Sequence, residues 1–307
     1  VVQGGPEVSA RFAALPFDHL VLTGSDRTGR KVMQAAAEHL TPLTLELGGK
    51  SPVILGRGAD LGLAARRILA GKVMNAGQIC VSPDTVYVPA PQLEPFIEAC
   101  RAAYGQLVPG GVQDTAVVSE SHRQRVQGLV AEASAAGARV VVLGAAGATA
   151  AADGVDRAAD RRPALTLVVD PPAASRLARE EIFGPVMQIE TCKDVDDAIV
   201  RIQRGPSPLA LYYFGRDAAE ERRVLERTRS GGVTLNDVVM HVAALDAPFG
   251  GVGGSGFGRY HGREGFEEFS HARTVYRSGW WDPRRALGFE PPYGPKTYDQ
   301  LRRAMRR

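Results

Sequence analysis

The stretch from His19 to Leu47 constrains the fold of this chain more than any other. His19-Leu-Val-Leu-Thr-Gly24 has the length and apolarity of a short buried strand, residues 27–40 form an Ala-rich helical run, and Leu43-Thr-Leu-Glu-Leu47 reads as a second strand beyond the break at Pro42. Strand, helix and strand in close succession are the signature of a βαβ unit, which demands a parallel sheet with helices laid on it.

The alternation continues downstream. Leu61, Ala64, Ala65, Ile68 and Leu69 recur at helical spacing and predict an amphipathic helix over 60–75. Further helices are expected at 92–104, 121–136, 194–203 and 217–229, with strands at 84–88, 138–143, 164–169, 186–190, 208–214 and 232–236. Residues 144–162, rich in Ala, Gly and Asp, read as a surface excursion. The last part of the chain opens on a glycine-dense loop from Pro248 to Gly258 and ends in an extended, Pro-containing tail. The fold class is α/β throughout, without internal repeats.

Composition narrows the function classes. With 44% apolar and 23% charged residues, the 307-residue chain has ordinary globular usage and no signature of disorder. The net charge is +3, and the late basic residues (Arg284, Arg285, Arg302, Arg303, Arg306, Arg307) form no stripe interleaved with aromatics, so nucleic acid is not an expected partner. No run has the length of a membrane span and no signal-peptide pattern precedes the first strand, so an integral membrane segment is not expected. The basic tail lacks a long apolar face and is expected to be solvated or to contact a subunit. Cys80, Cys100 and Cys192 are widely spaced, which argues against a disulfide framework or a zinc site and fits a reducing, cytoplasmic compartment.

Several residues could carry chemistry, each with a plainer alternative. Gly24-Ser-Asp-Arg-Thr-Gly29 brings backbone N–H groups to a helix amino terminus, which suits a pyrophosphate or merely makes a tight turn. Glu46 lies between Leu45 and Leu47 and before two glycines. A carboxylate there is costly unless paired with a residue such as Lys50, or used as a general base whose pKa is raised by desolvation. Cys80 follows the helix beside Asn75, Gly77 and Gln78, small and amide residues that admit and position a substrate, although a free Cys is also a common core residue. Cys100 and Cys192 have ordinary surroundings. Glu180-Glu-Ile-Phe-Gly-Pro185 offers a carboxylate and a ring suited to a sugar, or a surface turn with a packed Phe. His19, His39, His122 and His271 read as surface or satisfied histidines, while His241 and His261 flank the glycine-dense loop and stay open.

Taken in order, LTGSDRTGR, LTLELGGKSP, GKVMNAGQICVSPD, REEIFGPV and NDVVMH followed by PFGGVGGSGFGRYHG resemble the aldehyde dehydrogenase superfamily over residues 1 to about 275. The segments HLTPLTLELGGKSP, VSPDTVYV and SPLALYYF and the tail FEPPYGPKTYDQLRRAMRR are most similar to its class 3 and coniferyl aldehyde dehydrogenase branch. The resemblance implies a partial Rossmann-type cofactor domain over 1–48, a thiol domain with a parallel sheet over 49–247, and a glycine-rich loop and tail over 248–307 returning to the cofactor domain or a subunit interface. It implies Cys80 as nucleophile and Glu46 as general base. NAD or NADP would be held by Gly24, Ser25, Gly29, Leu47, Gly48, Glu181 and Phe183; no metal is implied. The substrate would be a small-molecule aldehyde, of coniferyl type by branch, and the full-length parent a homodimer or homotetramer.

Two departures from the family pattern qualify these expectations. The chain resembles an N-terminally truncated member, lacking the segment that carries the first cofactor strands and the residue that chooses between NAD and NADP. The turn reads GSDRTG where the family has GSTxxG, and Asp26 brings negative charge to the pyrophosphate position. A cofactor-independent thiol esterase, or a non-catalytic remnant that pairs with another chain, are the alternatives.

Overall fold

The computed structural model describes residues 1–109, 115–144 and 161–306, and most of the excursion expected at 144–162 lies outside them. The elements in chain order are α1 (Pro6–Ala13), β1 (Leu20–Gly24), α2 (Asp26–Ala37), β2 (Leu43–Leu47), β3 (Pro52–Leu55), α3 (Leu61–Val73), β4 (Thr85–Pro89), α4 (Leu93–Leu107) and α5 (Glu120–Ala135). There follow β5 (Arg139–Val142), β6 (Thr166–Val169), α6 (Arg176–Arg179), β7 (Val186–Cys192), α7 (Val195–Arg204), β8 (Ala210–Phe214), α8 (Ala218–Arg227) and β9 (Gly232–Leu235). The carboxyl-terminal part holds β10 (Gly256–Phe257), α9 (Gly262–Glu268), α10 (Pro283–Leu287) and α11 (Pro295–Ala304).

The expected βαβ unit is present: β1 and β2 pair in parallel, with Gly24 opposite Leu47 at their carboxyl ends, and α2 connects them. Ser25 caps α2 by accepting the Thr28 N–H at 3.3 Å, which explains why the helix starts there. Gly29 lets α2 lie close on the sheet, since a Cβ there would stand 3.0 Å from a Leu47 methyl. β10 adds to the other side of β2 in antiparallel sense, giving the order β1-β2-β10.

The larger sheet has the order β5-β6-β7-β4-β3-β8-β9 and is parallel except for β5 against β6. Its centre is apolar on both faces, as a parallel sheet between helices requires: Val53, Ile54, Leu55, Val86 and Val88 have no exposed surface. On one side, α3 and α4 cover it with Ile68, Leu69, Phe96, Ile97 and the structural Cys100. On the other, α7 and α8 bring Val195, Ile199 and Val224 against Tyr213.

One strand was not expected from the sequence, and two expectations need correction. β3, the central strand, follows the Gly48-Gly49 pair too closely to be seen as a separate four-residue run, and it gains its identity from pairing with β4 and β8. The glycine-dense loop is not merely a loop: its strand β10 sets Gly256 opposite Glu46, and a Cβ on Gly256 would stand 1.9 Å from the Leu45 carbonyl oxygen. The tail expected to be extended contains α10 and α11. The chain divides into two compact units, Val1–Phe269 with both sheets and Ser270–Arg307 with α10 and α11. No helix among the described residues is long and apolar enough to cross a membrane.

Candidate active site

Strand direction places the candidate residues. Glu46 lies at the carboxyl end of β2; Cys80 precedes the amino end of β4, and Glu181 that of β7, its neighbour in the large sheet. The link Gly48–Ser51 joins β2 directly to β3, so the carboxyl ends of the small sheet face the amino ends of the large one. The topology thus brings toward one junction three side chains spread over 135 residues of sequence, from Glu46 to Glu181.

The turn that carries Cys80 is bent into the left-handed region at three successive residues, Asn75, Ala76 and Gly77 (φ 49°, 54° and 73°). Two side chains hold it there. Asn75 Nδ2 donates to the Gln78 carbonyl and Gln78 Nε2 to the Asn75 carbonyl, each at 3.0 Å. A side chain at Gly77 is excluded, because its Cβ would stand 2.3 Å from the Gly184 carbonyl oxygen of the Glu181 turn. Beyond Cys80, Tyr212 Oη donates to the Val81 carbonyl at 2.5 Å and Ser51 Oγ to the Cys80 carbonyl at 3.5 Å.

Cys80 itself is half-buried. Burial pushes its thiol pKa up, and the carboxylates of Glu181 and Glu46 push it further, while the N–H groups of Cys80 and Val81 act in the opposite direction. Cys100 and Cys192 are buried in the cores, as their sequence surroundings suggested, with both thiols pushed up by desolvation, Cys192 to about 12.

Glu46 is 3% exposed, and neither carboxylate oxygen has a hydrogen-bond partner among the described residues. Desolvation alone raises its pKa from 4.5 to about 8. The structural alternative for Glu46, an ion pair with Lys50, does not occur. Lys50 Nζ instead pairs with the buried Asp84 at 2.5 Å and donates to the Leu177 and Glu180 carbonyls at 2.9 and 3.3 Å.

Glu181 is half-buried against the end of β2. A Cβ at Gly48 would stand 2.1 Å from its Oε2, so glycine leaves room for the carboxylate at that place. Its pKa is raised to about 7 by desolvation and by Asp84, against the pull of the Gly49 N–H, Lys72 and Arg125. Phe183 follows in the left-handed conformation (φ 48°). Gly24 and Ser25 lie beside Leu47 at the carboxyl edge of the small sheet, and Asp26 uses its carboxylate to accept the Arg27 N–H at 2.7 Å.

Sequence reasoning did not single out Lys72, Asp84, Tyr260 or Arg125. Lys72 is 1% exposed, and burial lowers its pKa to about 8 even though Asp84 and Glu181 support its charge. Its signal was available, since position 72 continues the series 61, 64/65, 68/69 on the buried face of α3. Tyr260 packs on Phe249 and His261 with ring centroids 5.5 and 4.6 Å away, and its phenol is pushed up by burial and by Glu46 and Cys80. His241 and His261, left open by the sequence, each keep one buried ring nitrogen without a partner among the described residues. Also among the described residues, no group of three or more His, Cys, Asp or Glu could hold a metal ion.

The chain is similar to known proteins in sequence and in fold. The profile of the aldehyde dehydrogenase family matches residues 1–275. A probable coniferyl aldehyde dehydrogenase of Caulobacter vibrioides is 48% identical over 298 residues, covering 96% of this chain and 60% of that protein. A coniferyl aldehyde dehydrogenase of a Pseudomonas species is 42% identical over 277 residues, covering 89% and 56%. Among solved structures, substrate-bound AldH of Staphylococcus aureus superposes with a TM-score of 0.80 at 35% identity, over 92% of this chain and 62% of that one. An aldehyde dehydrogenase of Mycobacterium tuberculosis complexed with NAD+ superposes with a TM-score of 0.79 at 31% identity, over 91% and 57%. The chain spans about 60% of the length of the first two curated relatives it matches.

Proposed function

The chain belongs to the aldehyde dehydrogenase family, and from that premise we propose that it oxidises an aldehyde of the coniferyl type to the carboxylic acid with NAD or NADP, using Cys80 as nucleophile and Glu46 as general base. The single observation that carries this reading is a buried, unpartnered Glu46 within electrostatic reach of Cys80 at the junction of the two sheets. The names of the coniferyl aldehyde dehydrogenase relatives support the substrate class.

A dinucleotide fits the residues at its nicotinamide end. Gly48 lets the Glu181 carboxylate come close against the end of β2, where a Cβ would stand 2.1 Å from its Oε2, and Glu181, with Phe183 in the same turn and Leu47 at the strand end, would hold the nicotinamide ribose. At the pyrophosphate end, Gly24, Ser25 and the amino terminus of α2, seated by Gly29, are shared with the Asp26 carboxylate. When bound, the oxidised nicotinamide would supply the hydride acceptor for oxidation of the aldehyde carbon held by Cys80.

The protein's own residues perform the rest. The Cys80 thiol gives up its proton to solvent and its sulfur forms a bond to the aldehyde carbon as the C=O π pair moves onto oxygen, where the Cys80 N–H would stabilise the negative charge, a kind of donor whose removal costs about 3–4 kcal/mol. Glu46 then takes a proton from water as the water adds to the thioester carbonyl. The carbon–sulfur bond breaks, and the acid and the Cys80 thiol are released. A pKa of about 8 puts Glu46 near the value that a base working in mildly alkaline solution needs, so turnover should rise with pH through about 8 as Glu46 ionises.

The test is oxidation of coniferyl-type aldehydes followed by absorbance of the reduced nicotinamide. Cys80→Ala should abolish the reaction, whereas Cys100→Ala and Cys192→Ala should retain it. Undiminished turnover in Cys80→Ala would overturn the reading.

A further inference from the structure

Helix α5 takes no part in the chemistry above, yet its first two turns and the residues before it are tied to both turns of the site. On the cysteine side, the Val118 N–H donates to Gln78 Oε1 at 2.8 Å, and Gln78 Nε2 donates to the Ala116 carbonyl at 3.1 Å. On the other side, three successive carbonyls of the Glu181 turn are each held by a side chain of α5. Arg125 Nη1 donates to the Glu181 carbonyl at 3.3 Å, Arg125 Nη2 to the Ile182 carbonyl at 2.5 Å, and His122 Nε2 to the Phe183 carbonyl at 2.8 Å. A carbonyl can only accept, so the proton of the His122 ring must reside on Nε2.

Two further observations give these bonds a purpose. Phe183 is a bulky residue in the left-handed region (φ 48°), a conformation that persists only where the surroundings enforce it. His122 supplies that enforcement twice, through the bond to the Phe183 carbonyl and through an edge-on ring contact at 5.9 Å. The two turns also touch at Gly77 and Gly184, so a shift of one is transmitted to the other. Arg125, half-buried and 3.7 Å from the Glu180 carboxylate, places a cation behind the turn.

We propose that residues 116–125 are a brace that fixes the Glu181 carboxylate relative to the Cys80 sulfur, with His122 and Arg125 as positioning residues for the site. The brace keeps the Glu181 carboxylate against Gly48 and within electrostatic reach of Cys80. Without it, the Phe183 backbone relaxes out of the left-handed region and carries Glu181 away. The inference rests on the reading of Cys80 and Glu181 as site residues, but it concerns the geometry between them and not turnover.

The experiment is iodoacetamide alkylation of Cys80 in the full chain as a function of pH, with peptide mass mapping to separate Cys80 from the buried Cys100 and Cys192. It needs neither cofactor nor aldehyde, so failure of the proposed oxidation leaves it intact. Glu181 and Glu46 are the carboxylates that face the thiol and push it up. His122→Leu should therefore move the alkylation midpoint to lower pH, as Glu181→Gln does. The double variant should show no shift beyond that of Glu181→Gln, and His122→Gln, which keeps an N–H donor, should stay at the parent midpoint. Should His122→Leu not fold, Arg125→Met takes its place in the same cycle. Additive shifts in the double variant, an unmoved midpoint in the single one, or a His122→Gln profile like that of His122→Leu would each overturn the brace.

Discussion

Replacing Glu46 by glutamine should change the stability of the protein in a way that depends on pH. The carboxyl is 3% exposed, has no hydrogen-bond partner among the described residues, and has its pKa raised from 4.5 to about 8 by desolvation alone. Because the folded value lies above the unfolded one, the native state holds the Glu46 proton more tightly across that window. The stability tied to that proton is complete below about 4.5 and is lost as pH rises through about 8. Linkage between those two values gives a loss of about 2 kcal/mol at pH 6 and about 4 kcal/mol at pH 8, with a ceiling of about 5 kcal/mol above that.

Glutamine has nearly the same shape and no proton to lose. Its offset from the parent at low pH reflects amide against carboxylic acid and is constant, whereas the gap should widen in favour of Glu46→Gln by about 2 kcal/mol between pH 6 and pH 8. Urea unfolding of both proteins at several pH values measures this directly, and groups common to both, such as Lys72 and Glu181, cancel to first order. Parallel stability curves over that range would show that Glu46 finds a partner or water in solution, and the reasoning that makes it a base of raised pKa would fail.

Two other substitutions test the scaffold of the site. Gly77→Ala combines φ 73° with a Cβ 2.3 Å from the Gly184 carbonyl oxygen, so thermal unfolding should show a loss of at least about 2 kcal/mol. Gly128→Ala on the exposed face of α5, where a Cβ meets nothing within 4 Å, should instead gain roughly 0.5–1 kcal/mol; equal behaviour of the two would contradict the contact between the turns. Lys50→Met leaves Asp84, 2% exposed, without its ion-pair partner and should cost about 3–5 kcal/mol in urea unfolding; a loss under about 1 kcal/mol would mean that the pair is solvated.

Much of this molecule was legible in the sequence because its strongest signals are local. The βαβ unit at β1–α2–β2 was readable from apolar runs and a proline break, whereas the small and amide residues around Cys80 left it open between a nucleophile and a core thiol. What escaped depends on contacts far apart in the chain. β3 is four residues long and owes its place to β4 and β8. The glycine-dense stretch reads as a loop by composition, but Gly256 is glycine because β2 leaves no room for a Cβ. Glu46 was open to an ion pair with Lys50 on sequence grounds, and only the position of Asp84 shows where Lys50 is used. Lys72 was missed for a different reason: a charged residue is easily left out of an apolar face even when the helical period puts it there. His122 read as a surface or a satisfied histidine, and the second holds; that its partner is the Phe183 carbonyl could not be read from a position 61 residues away.

The most direct test of Cys80 and Glu46 acting together needs no dinucleotide. An activated ester such as p-nitrophenyl acetate is mixed with the parent chain and with Glu46→Gln, and the mass of each cysteine-containing peptide is followed in time. An acetyl group should appear on Cys80 in both proteins and persist in Glu46→Gln, because the water that removes it lacks a base. Label on Cys100 or Cys192 in place of Cys80, or an acetyl group lost from both proteins at the same rate, would contradict the assignment of nucleophile and base.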